Sequence, residues 1–356
     1  MSTGTTASLF TPLRLRSVEL RNRIVMGPMM QYSGQDGRPG PWHIVHLGSR
    51  ATGGAGLVMV EQTAVSRIGR STQADLGLWC DDQADALREI VAFIISQGAV
   101  PGIQLGHSGR KASIRAPWED RSPLTVDLGG WEPVAPSAVP CGDKRLVPRA
   151  LTANDIDGVI AEFAAAADRA ARAGFRLLEI HGAHGYLPHQ FLSPLSNHRT
   201  DEYGGDFEGR SLFVIRLMEA VRRAWPSDLP LSIRLSAHDD LPGGWEVADT
   251  LRLIPQLAAV GTDLFDISIG GLGAAHAYPT EPAALASLAE LIRRKTGQCV
   301  GVGWGISSPD IAERVIAEGQ ADLVFVARAM LKDPYWSTHA SEALGGASLL
   351  PVQIRR

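Results

Sequence analysis

Cysteine is scarce: Cys80, Cys141 and Cys299 are the only three in 356 residues, and they lie far apart. That spacing argues against a disulfide framework or a CxxC metal site. No apolar run approaches the ~20 residues a membrane-spanning helix needs. The opening MSTGTTASLFTPLRLRSVEL lacks the basic start and apolar centre of a secretory signal. Neither sign of charge dominates: the formal net charge is −4 and the pI is near 6.2, so there is no broad basic field for nucleic acid. Internal repeats, charge tracts and low-complexity segments are absent too, so residues 1–356 read as a single domain. What is present is core material. Hydrophobic residues make up 45% and charged residues 20%, with mean hydropathy near zero. That composition argues against disorder. At 38.1 kDa one α/β barrel of ~250 residues or more is within reach. A cytoplasmic enzyme, with neither membrane nor nucleic acid as partner, is the expectation.

Short apolar runs alternate with longer helical patterns. Eight runs read as core strands: Ile24–Gly27, Gly56–Glu61, Val100–Leu105, Leu177–His181, Leu231–Ser236, Leu264–Ser268, Cys299–Gly303 and Leu323–Arg328. Unbroken apolar runs suit strands buried on both faces of a parallel sheet. Helices fit Asp81–Gln97, a segment opening at Thr152, Phe207–Ala224, Val247–Gly261, Ala283–Thr296 and Pro309–Gly319. Thr152 and Asp155 have capping-box spacing, and Ile156, Val159, Ile160, Phe163 and Ala167 share one face beyond them. Eight strand–helix units predict a closed (β/α)8 TIM barrel; an open sheet would want GxGxxG after an early strand, and none is there. LRLRSVELRNR, before the first strand, reads as a hairpin capping the barrel bottom. Long loops follow the third and fourth strands. The first, Gly106–Arg149, carries six of the 22 prolines; the second runs from Gly182 to Asp206.

Active sites in such barrels lie at the C-terminal strand ends. The last two exits carry 303-GWG-305 and 327-AR-328. A Gly-rich turn followed by arginine suits a phosphate, through exposed backbone N–H groups and a forked donor set. A plain turn with a surface cation is the other reading. The fourth exit carries 181-HGAHGY-186. Its two histidines and tyrosine can donate to a substrate oxygen, pack structurally, or ligate a metal. The metal reading is the weakest, since this is not HExxH and only Glu179 lies near. Arg234 sits inside apolar LSIRLS. It either faces the barrel mouth or forms an ion pair with Glu61 or Asp266. Gln104 offers a donor and an acceptor to a heterocycle edge.

These residues together resemble the old yellow enzyme family, flavin-dependent ene-reductases on a (β/α)8 barrel. Within it the likeness is to the bacterial, thermophilic-like branch that includes the xenobiotic reductases. The likeness runs from 6-TASLFTPLRLRSVELRNRIVMGPM-29, through 103-IQLGHSGRKAS-113 and HGAHGYLPHQFLSPLSNHRTDEYGG, to 321-ADLVFVARAMLKDP-334. It implies bound FMN, drawing hydride from NADPH or NADH and passing it to an α,β-unsaturated small molecule. By position, Pro28, Met29, Met30, Gln62 and Gln104 line the flavin ring, with Arg234 at its N1/O2 edge. Gly303, Gly305, Ala327 and Arg328 hold its phosphate. His181 and His184 bind the substrate oxygen, Tyr186 supplies the proton, and Tyr32 lines the substrate pocket. No metal is implied.

The chemistry fits those roles. A fixed guanidinium stabilises negative charge on reduced flavin. Two imidazole donors form an oxyanion hole, where one lost donor costs ~2.7–4 kcal/mol. A tyrosine of ordinary pKa, ~10, stays protonated and can act as an acid. Three positions depart from the family pattern. Met30 stands where this branch usually has Cys, Gln62 where a small residue is common, and Gly209 where Asn is usual. A specialised flavin enzyme that desaturates, aromatises or isomerises one metabolite is therefore the alternative reading. A non-catalytic flavin carrier and a flavin-free phosphate-binding lyase are rivals of other classes. The tail, residues 345–356, resembles the family segment that reaches a neighbouring subunit's site. Arg356 is its arginine, and a homodimer or homotetramer follows.

Overall fold

The computed structural model describes residues 7–273 and 279–355. Two short strands, β1 (Leu13–Leu15) and β2 (Val18–Leu20), pair antiparallel as the expected hairpin. Arg16 at its turn donates to Asp263 at 2.7 Å, and Ser17 N donates to the Asp228 carbonyl. Asp263 also accepts from Leu231 N, so the hairpin closes the end where the strands begin.

The chain then continues through β3 (Ile24–Met26), α1 (Pro41–Thr52), β4 (Leu57–Ala64), α2 (Asp81–Ser96) and β5 (Val100–Gly106). A parallel pair, β6 (Val134–Ala135) and β7 (Arg149–Ala150), lies in the long loop before α3 (Ala153–Ala173). Next come β8 (Leu177–Gly182), α4 (Leu187–Leu192), α5 (Phe207–Ala224), β9 (Leu231–Ser236), α6 (Val247–Ala259) and β10 (Leu264–Ser268). The remainder is α7 (Ala286–Thr296), β11 (Val300–Val302), α8 (Pro309–Ala317), β12 (Leu323–Val326), α9 (Arg328–Lys332) and α10 (Trp336–Ala343). The eight strands β3, β4, β5, β8, β9, β10, β11 and β12 close into a parallel barrel, with β12 pairing back onto β3. This is the (β/α)8 barrel the sequence predicts.

The local reasons hold as well. Thr152 caps α3 by accepting from Asp155 N at 3.1 Å, and Asp155 returns the bond to Thr152 N at 2.9 Å. Ile156, Val159, Ile160, Phe163 and Ala167 are all buried beneath it. A side chain as large as Phe163 contributes ~1.5–3 kcal/mol by such burial.

Several boundaries differ from expectation. The connection 182–206 contains α4. Arg328 opens α9 rather than ending the eighth strand, because Ala327 turns the chain at ψ −86°. α7 starts at Ala286, after Ala283 adopts φ +52°. α1 was not expected. Its inward face carries His43, His46 and Arg50 beside Leu47 and Ala51, so it does not read as an apolar stripe. Arg50 instead donates to the Met330 carbonyl. No described helix is long and apolar enough to cross a membrane.

Candidate active site

Parallel register stacks polar side chains in tiers inside one half of the barrel. Gln104, Glu179 and Ser232 occupy neighbouring positions on β5, β8 and β9. Gln104 Nε2 donates to Glu179 at 2.8 Å, and Ser232 Oγ donates to it at 3.0 Å. One step toward the mouth, His181, Arg234 and Asp266 align on β8, β9 and β10. Arg234 Nε lies 2.9 Å from Asp266 Oδ2. Of the two ion-pair partners the sequence offered Arg234, the structure selects Asp266. Glu61 instead faces His43 Nε2 at 3.2 Å and accepts Gln31 N–H at 2.6 Å.

Burial sets the protonation of this interior. It pushes Asp266 up to about 8, against the pull of Arg234, and raises Glu179 for the same reason. It drives His181 and His184 well below the ordinary imidazole range, and the positive charge of Arg234 adds to that. Both rings are therefore neutral at physiological pH.

The turn after β8 brings three side chains together. His184 at φ +56° and Gly185 at φ +72° form its bend; a Cβ at Gly185 would press on the Gly271 carbonyl oxygen. The His181 ring lies 4.4 Å from Tyr186 and 5.2 Å from His184, centroid to centroid. His184 Nε2 is 2.6 Å from Ser268 Oγ. The Tyr186 hydroxyl donates to Met30 Sδ at 3.5 Å, which joins the first and fourth strand exits. A second layer supports this turn. His189 Nδ1 accepts Gly185 N–H at 2.8 Å, while its Nε2 lies 2.7 Å from Asp239. Lys111 Nζ donates to the carbonyls of His184 (2.7 Å) and Gly271, and burial brings its pKa down to about 8.

Pro28, Met29 and Met30 form the exit of β3. Tyr32 follows at φ +49°, and its hydroxyl is pushed up to about 12, mainly by burial. Gln62 sits where the β4–β5 register shifts, at a bulge of the kind that re-aims side chains. Its chain folds over Gly106, where a Cβ would lie 2.6 Å from Gln62 Cγ. Both amide atoms are buried without a hydrogen-bond partner. At the far side, Trp304 and Gly305 adopt φ +70°, and the Arg328 guanidinium lies 5.1 Å over the Trp304 ring. Gly303 is buried at the end of β11, and Ala327 precedes α9. Arg356 lies outside the described residues, although Leu349 of the same tail packs on Gly54. Gly209 has a steric reason: any Cβ there would overlap the Gly204 carbonyl oxygen.

This donor set suits a flat heterocycle carrying a phosphate. It offers an unpartnered amide at Gln62, a guanidinium at Arg234, and turn backbone without side chains at Gly303 and Gly305. No described cluster of three or more His, Cys, Asp or Glu is placed to hold a metal. Sequence reasoning missed Lys111, Ser268, His189 and Asp239. All four lie at or within seven residues of a strand exit, which was the available signal.

Residues 8–345 match the profile of the NADH:flavin oxidoreductase / NADH oxidase family. An NADPH dehydrogenase of Geobacillus sp. (strain WCH70) is 41% identical over 350 residues, covering 98% of each chain. That of Bacillus subtilis (strain 168) is 39% identical over 351 residues, again 98% of each. Among solved structures, morphinone reductase superposes with a TM-score of 0.80 at 28% identity, covering 98% of this chain and 92% of that one. A 2-naphthoyl-CoA reductase shares the fold at a TM-score of 0.87 and 24% identity, over 95% of this chain and 53% of that one. With a family profile spanning nearly the whole sequence and full-length relatives near 40% identity, the chain belongs to the NADH:flavin oxidoreductase / NADH oxidase family.

Proposed function

We propose that this chain is an FMN-dependent ene-reductase that draws reducing equivalents from NADPH or NADH and reduces an activated C=C bond. The observation that carries the reading is the convergence of His181, His184 and Tyr186, with the Tyr186 hydroxyl on Met30, at the mouth of a barrel holding Arg234. Pro28, Met29, Met30, Gln62, Gln104 and Arg234 would hold the flavin ring; Gly303, Gly305, Ala327 and Arg328 would hold its phosphate. Bound FMN supplies hydride acceptance and donation.

The protein's residues supply the rest. Neutral His181 and His184 donate N–H groups to the substrate's electron-withdrawing oxygen, where negative charge grows. Ser268 fixes the His184 ring, and the Ala183 N–H donates to His181 Nδ1 at 3.3 Å, which leaves the His181 proton on Nε2. Tyr186 gives its proton to the carbon α to that group. Tyr32 lines the pocket. The chain works as one domain in the cytoplasm, as a homodimer or homotetramer in which Arg356 reaches the neighbouring site.

Two measurements test this. The purified protein should be yellow, with flavin absorbance reduced by NADPH or NADH. Tyr186→Phe should keep that reduction and lose about 10²–10⁴ in acceptor turnover, the usual weight of a general acid. Unchanged turnover removes Tyr186 from the acid role. Turnover of one metabolite without added NAD(P)H favours the desaturase or isomerase alternative.

A further inference from the structure

The loop after β5 contains a built feature that none of these roles uses. Residues 114–123 fold back as a finger: Ile114 and Pro123 bridge antiparallel, and Arg115 N donates to the Ser122 carbonyl at 2.9 Å. The base is tied by Leu124 N to the Ser113 carbonyl and by Ser113 Oγ to the Leu124 carbonyl. At the tip, Asp120 (φ +144°) and Arg121 (φ +57°) hold backbone conformations unusual for residues with a Cβ. They are kept there by Asp120 Oδ1 accepting Ser122 N–H, and by Arg145 donating to the Arg121 carbonyl.

The product of this construction is Trp118, which remains 68% exposed. Its ring stands edge-on to Tyr32, with centroids 5.6 Å apart and planes at 83°. Tyr32 is itself held at positive φ, two residues beyond the methionine that touches the Tyr186 hydroxyl. Strained, internally bonded backbone therefore presents an indole against Tyr32, the residue proposed above to line the substrate pocket. An aromatic of this size offers 150–250 Å² of surface on burial, with a preference for other flat rings.

We propose that Trp118, with Tyr32, forms an aromatic shelf that selects flat, ring-bearing electron-poor acceptors over small acyclic ones. This deepens the ene-reductase reading and rests on it. Trp118 is a specificity residue and takes no part in bond making.

The test compares wild-type holoenzyme with Trp118→Ala and Trp118→Phe, using 1,4-naphthoquinone and acrolein as acceptors. For Trp118→Ala, KM for naphthoquinone should rise about tenfold with kcat little changed, the equivalent of ~1.4 kcal/mol of stacking. KM for acrolein and flavin reduction by NADPH should not move. Trp118→Phe should recover most of the loss. Equilibrium titration with 1-naphthol, followed by the flavin spectrum, should show the same weakening without turnover. Equal effects on both acceptors, an effect confined to the NADPH step, or no effect would each overturn the shelf. Wild-type enzyme that reduces neither acceptor overturns the ene-reductase reading instead, and the naphthol titration then still judges the shelf.

Discussion

Asp239→Asn is the sharpest probe of the layer behind the site. Asp239 is fully buried, and it accepts three hydrogen bonds: from His189 Nε2 at 2.7 Å, Ser193 Oγ at 2.6 Å and Trp245 N at 2.7 Å. Because His189 Nδ1 already accepts Gly185 N–H, the ring must carry its proton on Nε2 and donate it to the carboxylate. Asparagine supplies one oxygen and turns an NH₂ toward a remaining donor. At least one charge-assisted bond is lost, each worth ~1.5–3 kcal/mol, and a second donor is left without an acceptor. A total of ~2–4 kcal/mol should lower Tm by roughly 3–5 °C in a chain of this size. The pH dependence has a definite sign. Burial alone would raise the Asp239 pKa, but His189, Ser193 and the Trp245 amide hold it below the ordinary value. A depressed folded-state pKa gives stability that is present above the unfolded value, ~3.9, and is lost as pH falls through the folded one. The Tm gap between variant and wild type should therefore be full at pH 7 and shrink below about pH 4. Calorimetry across pH 3–7 reads both effects. A Tm within about 1 °C of wild type at pH 7, or a gap that widens in acid, refutes the reasoning.

Two further variants address single contacts. Arg234→Met leaves the buried Asp266 carboxyl without its guanidinium partner; above pH 8, where that carboxyl is ionised, ~3–5 kcal/mol should be lost, and Arg234→Met/Asp266→Asn should recover part of it in urea unfolding at pH 9. A double variant no more stable than the single one would break the link. Gly209→Ala forces a Cβ onto the Gly204 carbonyl oxygen and should cost ~1–3 kcal/mol in the same assay; an unchanged midpoint would show that α5 can shift to make room.

The barrel was legible because its signal is local and repeated. Each core strand is an apolar run, and Thr152 with Asp155 marks a helix start by chemistry alone. α1 escaped because polar side chains sit on its inward face, among them Arg50, whose partner is the Met330 carbonyl, 280 residues away. The site divides the same way. His181, His184 and Tyr186 lie within six residues, so one turn unites them and the sequence displays them. Met30 meets Tyr186 across 156 residues, and Trp118 meets Tyr32 through the bend of a long loop. Strand-exit logic reaches the first of these pairings. It does not reach the second, which depends on Asp120 and Arg121 accepting left-handed backbone.

Residue type alone misplaces where the site should respond to pH. Histidine is the group expected to switch near neutrality, yet burial and the Arg234 charge keep His181 and His184 neutral throughout that range. The N–H donor role proposed for them would accordingly be constant with pH, as an oxyanion hole requires. Two groups beside the histidines that titrate near neutrality are ones that ordinarily do not: Asp266, raised to about 8, and Lys111, lowered to about 8. Both shifts have the same origin, removal of a charge from water, acting with opposite sign on an acid and a base. Asp266 lies against the guanidinium proposed to face the flavin, and Lys111 ties the histidine turn to the loop after β10. Rising pH through 8 thus places a full negative charge beside Arg234 and removes the positive charge from Lys111. The interior becomes less positive in both places at once, and that disfavours the anionic states proposed to form at the mouth of the barrel.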